Sequence, residues 1–122
     1  MPNYTDNEKL WAWENASVIP GMDPTRYRKD SCGAIIMWDK YGEQDSPFGW
    51  EIDHIYPISM GGTTIKENLR AMQHRNYASK GNRYPYYTAV MTAQGSINVS
   101  CNKTLVVNAS KREELATIYP QL

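Results

Sequence analysis

Asp53 and His54 stand side by side, Asn68 and Asn76 follow, and these residue types suit hydrolysis of a phosphodiester bond. A neutral imidazole can take a proton from an attacking water near pH 7. Carboxylate and amide oxygens are the hard donors that Mg²⁺ or Mn²⁺ prefers, and such an ion offsets charge gathering on the phosphate and its leaving oxygen. His54 is therefore the candidate general base, Asp53 a candidate metal ligand, and Asn68 and Asn76 candidate amide groups downstream. A bare Asp–His pair occurs on many surfaces and in many cores, so the surrounding pattern has to carry the weight.

These residues need elements that bring them together. Residues 48–55 read as a strand closed by Pro57, Gly61-Gly62 as an enforced turn, and residues 68–72 as a short returning strand. Residues 73–80 suit a helix that Gly81 stops. Neighbours on a strand point to opposite faces, so Asp53 and His54 can share a site only where the strand bends into its loop. Glu51 lies on the same face as Asp53 and reads either as a second acid behind the site or as a surface residue.

The flanking chain is simpler. A helix through residues 9–15, capped by Asp6 or Asn7, precedes a proline-rich loop at 18–24. Residues 32–38 suggest a strand, and the polar stretch to Pro47 a loop. A small extra hairpin is expected from 88–92 and 97–100 around Gln94-Gly95, then a strand-like piece at 105–107 and a final helix capped by Asn108 or Ser110. Repeats, low-complexity tracts and linkers are missing, so one α+β domain covering residues 1–122 is expected.

Composition fits that reading: 41% hydrophobic and 21% charged residues belong to an ordinary globular chain. No run approaches the roughly 18 apolar residues of a membrane span, and the first residues lack the pattern of a secretory signal. Cys32 and Cys101 are far apart, which argues for free thiols and against a zinc site built from cysteine pairs. Net charge is zero, yet five acids crowd residues 39–53 and five bases crowd residues 66–83. Such a division suits a metal site beside a phosphate-gripping surface, or simply two solvated faces.

The run Asp53-His54-Ile55-Tyr56-Pro57, then Gly61-Gly62, Asn68-Leu69, Asn76 and Lys80-Gly81 resembles the signature of the HNH endonuclease family, over about residues 50–85. The resemblance is greatest to phage and bacterial members. It implies a single small α+β domain built around a ββα-metal hairpin–helix motif at about residues 48–85, with flanking helices. It further implies that His54 is the general base, that Asp53 holds the metal, and that Asn68 braces the loop and orients the base. One divalent ion is implied, Mg²⁺ or Mn²⁺ with other divalent ions as alternatives, and so is a nucleic-acid partner, double-stranded DNA first. Arg70, Arg75, Lys80 and Arg83 would grip the phosphate backbone. A cytoplasmic, phage- or bacterium-encoded protein, monomeric or homodimeric and without a membrane partner, goes with that reading.

One departure stands out. The family usually carries its second metal ligand, an Asn or His, at the position that Tyr77 occupies. Asn76 sits one place earlier, about 100° around a helix. Either Asn76 ligates after a small helix adjustment, or Asp53 holds the ion with more water, or activity is lost. The last case would leave a catalytically impaired module that binds nucleic acid or a partner.

Overall fold

Thr5 opens the first helix with a reciprocal cap: its hydroxyl accepts the Glu8 N–H at 3.1 Å and the Glu8 carboxylate accepts the Thr5 N–H at 2.9 Å. Helix α1 (Asp6–Glu14) therefore begins one residue before an Asp6 cap would allow and two before an Asn7 cap would, and Asp6 lies inside it. The computed structural model describes residues 3–122. Beyond α1 come strands β1 (Ser17–Val18), β2 (Tyr27–Lys29) and β3 (Ile35–Met37), which form an antiparallel sheet in that order. The strand expected at 32–38 is cut to its centre because Asp30–Gly33 is a turn: Gly33 donates to the Asp30 carbonyl at 3.0 Å and takes a φ of 84°, which glycine tolerates.

Strands β4 (Trp50–His54) and β5 (Leu69–Gln73) form an antiparallel hairpin with Asp53 opposite Arg70 and His54 opposite Leu69. Helix α2 (His74–Lys80) follows without a break. Gln73 caps it by accepting the Arg75 and Asn76 N–H groups, and Gly81 ends it at a φ of 52°. Strands β6 (Tyr86–Gln94) and β7 (Ile97–Val106) make a second hairpin, longer than expected because β7 absorbs most of the separate piece expected at 105–107. Helix α3 (Ala109–Ile118) closes the fold, capped by Asn108. Over the described residues the result is an α+β fold of three α-helices and small antiparallel sheets. Among the described residues no helix is long and apolar enough to cross a membrane.

Two apolar clusters hold these pieces. Trp50, Ile52, Leu69 and Ala71 turn one face of the β4–β5 hairpin toward Ala12 and Trp13 of α1. Trp13, Trp38 and Trp50 meet there with ring centroids 5.3–5.8 Å apart, and Trp13 and Trp50 spend their N–H groups on the carbonyls of Pro24 and Met37. Met72, Ile55 and Tyr56 join Tyr87, Ala89, Leu115 and Tyr119 in the second cluster. The cysteines Cys32 and Cys101 are free thiols.

A polar knot joins the sheets. Asp30 is 3% exposed, and its Oδ1 accepts the Cys32 and Ala34 N–H groups while Oδ2 accepts Gln73 N–H and Asn76 Nδ2, all at 2.9–3.0 Å. Burial pushes the Asp30 carboxyl up from its ordinary value, against the pull of these four bonds. Replacing Asp30 by Ala strands four donors in the interior. With about 1–3 kcal/mol for each buried unsatisfied group and partial relaxation, the expected loss is about 4 kcal/mol in urea unfolding. A loss below about 1 kcal/mol would remove Asp30 from that role.

Candidate active site

The loop between β4 and β5 is closed from inside by one amide. Asn68, fully buried, accepts the Tyr56 N–H at 2.7 Å and donates through Nδ2 to the carbonyls of Tyr56 and Thr63, both at 3.0 Å. Gly62 has no room for a side chain, since a Cβ there would lie 1.8 Å from the Tyr56 carbonyl oxygen. Its N–H donates to the Pro57 carbonyl at 2.9 Å. The Gly-Gly pair therefore lets the loop fold back on itself immediately beyond His54.

At that strand end a cavity of about 310 Å³ is lined by Asp53, His54, Pro57, Tyr4, Tyr77 and Asn82, among others. Asp53 and His54 thus share one space although strand alternation sends them to opposite faces. The His54 ring is fixed by a 2.9 Å contact between Nε2 and Thr64 Oγ1, and the Tyr4 ring lies 6.1 Å away. When Nε2 carries the proton and donates to Thr64, Nδ1 is left with the lone pair that a base needs. Burial, assisted by Lys80 and opposed by Asp53, lowers the pKa of His54 from its ordinary value and favours the neutral ring. Neither Thr64 nor Tyr4 was a site residue in the sequence reading. Nothing in spacing alone could have put a hydroxyl ten residues along the loop against the imidazole.

Asp53 is held on both oxygens. Arg70 Nε meets Oδ2 at 3.0 Å, and Lys80 Nζ meets Oδ1 at 3.2 Å while also donating to the His54 carbonyl at 3.1 Å. Burial pulls the Arg70 pKa down, but Asp53 beside it outweighs that and holds it above the ordinary value. The Lys80 ammonium, by contrast, is lowered by burial against the pull of Asp53. Each Asp53 oxygen retains a lone pair after its ion pair, so a hard divalent ion fits the donor chemistry here. Two cations on one carboxylate oppose its approach.

Several expected roles change. Asn76 cannot be a metal ligand as it stands, because its amide is saturated. Oδ1 accepts Val90 and Met91 N–H at 2.9 Å, and Nδ2 donates to Asp30 and to the Met91 carbonyl at 3.0 Å. Arg70 and Lys80 are buried against Asp53 and cannot grip an outside phosphate backbone, whereas Arg75 and Arg83 are exposed. Glu51 is also buried, so the surface reading of that residue falls. Tyr77 and Ala78 are the residues that α2 presents to the cavity, and the Tyr77 phenol is raised by burial first and then by Glu51 and Asp53. Tyr4 is pushed up to about 12, chiefly by burial. Both rings are neutral at pH 7, and a neutral phenol is a poor Mg²⁺ ligand.

Compared with family models, with curated proteins and with solved structures, the chain matches none. The family resemblance therefore rests on the motif residues of the sequence alone.

The basic residues should divide sharply under mutation. Lys80→Met keeps the buried stem but leaves Asp53 and the His54 carbonyl each short of a partner, and is expected to lower stability by about 2–3 kcal/mol in thermal or urea unfolding. Arg75→Ala and Arg83→Ala should each stay within about 0.5 kcal/mol of the parent. Equal losses in both classes would contradict the division.

Proposed function

We propose that this chain is a divalent-metal-dependent endonuclease of the HNH type, hydrolysing phosphodiester bonds in nucleic acid, with double-stranded DNA as the first substrate class. The observation that carries the reading is the shared cavity. A neutral, oriented imidazole and a carboxylate line one space at the foot of an antiparallel hairpin that runs straight into a helix. Phosphodiester hydrolysis requires that pairing of a base with an anionic metal holder.

In this reading His54 takes the proton from a water that attacks the phosphorus in line, leaving a 5′-phosphate. Thr64 keeps the ring from turning away, and Asn68 keeps the loop that carries Pro57 closed over the strand end. Asp53 would hold the ion, which supplies charge stabilisation to the phosphate and to the departing oxygen. Lys80 and Arg70 fix the Asp53 carboxylate in place rather than touch substrate. Arg75 and Arg83, exposed at the two ends of α2, supply contacts to backbone phosphates that carry no sequence information and weaken with salt. One site in a chain this small nicks a single strand.

A second reading, a nucleic-acid- or partner-binding module with a decayed metal site, draws on the two ion pairs already made by Asp53 and on Tyr77. Supercoiled plasmid incubated with the protein in Mg²⁺, Mn²⁺ or EDTA separates the two. Metal-dependent nicking is expected, reduced about 10²- to 10⁴-fold in His54→Ala. Retained DNA binding with no nicking under any metal would establish the second reading instead.

A further inference from the structure

The three most buried acids of the chain's centre are treated very differently. Asp30 has four donors and Asp53 two cations. Glu51 is 8% exposed, and its Oε2 has no hydrogen-bond partner. None of the ion pairs among the described residues includes it. A buried carboxylate oxygen left without donor or cation is costly, and such an atom in a folded protein calls for a partner or a function.

Its position supplies both. Glu51 and Asp53 are alternate residues of β4 and so project from one face of the strand, the face opposite the Trp50 and Ile52 side that packs on α1. Asp53, two residues along that face from Glu51, lines the cavity, and Tyr77 stands on the same cavity's wall. On the helix side, meanwhile, the expected second ligand is missing, because Asn76 is saturated and Tyr77 is a neutral phenol.

We propose that Glu51 is the second protein ligand of the divalent ion held by Asp53, replacing the helix residue with a carboxylate from the strand. The inference rests on the metal-dependent reading above. Two carboxylates on one strand face can share a hard ion that keeps several waters. Charge balance points the same way. Asp53 with Arg70 and Lys80 forms a group of net positive charge that repels a dication, and the Glu51 carboxylate cancels that excess.

Mn²⁺ alone is the probe, titrated into the full chain without nucleic acid and followed by the spin-resonance signal of free Mn²⁺. Glu51→Gln should weaken Mn²⁺ binding at least tenfold, as Asp53→Asn should, while Tyr77→Phe leaves it within twofold. In EDTA, Glu51→Gln should melt at or above the parent, since it removes an unpartnered buried charge. Added Mn²⁺ should raise the melting temperature of the parent and not of this variant. Glu51→Asp, which keeps the charge and shortens the arm, gives an independent answer if the amide variant does not fold, and weakened uptake is again expected. Parent-like Mn²⁺ binding in Glu51→Gln or Glu51→Asp, with binding lost in Asp53→Asn, overturns this assignment and leaves metal dependence standing. A parent that takes up no Mn²⁺ overturns both.

Discussion

The Asp30 carboxylate is the constraint on which the arrangement of this protein depends. A carboxylate out of water must have its lone pairs met, and here all four are, by donors from two separate stretches of chain. Two bonds close its own turn between β2 and β3, and two reach the junction where β5 becomes α2. Asn76 extends the knot into β6 through Val90 and Met91. Helix α2 has seven residues, too few to persist on intrinsic propensity. Its position is imposed from outside, by Asp30 and Asn76 on one side and by Lys80 on Asp53 at its far end. Tyr77 faces the cavity because Asn76 and Lys80, one turn apart, already face inward.

That helix shows what was legible in the sequence and what was not. The strand with Asp53 and His54, the turn at Gly61-Gly62, the returning strand and the stop at Gly81 all announce themselves by local chemistry, and they stand where expected within a residue or two. Asn68 as a loop brace came only from the family resemblance, since local spacing does not say which backbone groups its amide meets. The inward and outward faces of α2 were not legible. Its basic residues read as one charged run, and spacing alone does not say that Lys80 is fully buried while Arg75 is exposed. Asn76 and Tyr77 differ by one helical step, and only the docking of β6 decides which of them meets the site. A signal for the knot did exist: Asp30 with Gly33 three residues later is a turn signature, and a turn aspartate with spare lone pairs can serve a second segment. Strands β1 and β2 were missed because two or three residues, half-buried at most, leave no period to read.

The β4–β5 hairpin carries unlike faces, and both are buried. On one, Trp50, Ile52, Leu69 and Ala71 pack on α1 as any sheet face does. On the other, Glu51, Asp53 and Arg70 occupy positions where apolar residues would stabilise more, given that replacing buried ion pairs by hydrophobic side chains is often neutral or favourable. Charges kept at such positions against their desolvation cost are the local violations expected at functional sites rather than in a purely structural core. The strand solves the placement problem by ending there. Alternation commits Asp53 to the charged face and His54 to the apolar one, and the chain escapes that rule only by stopping the ladder at His54 and folding the loop back through Gly62. The apolar face therefore sets where the imidazole begins, the charged face sets where the carboxylate points, and the cavity lies where neither face continues.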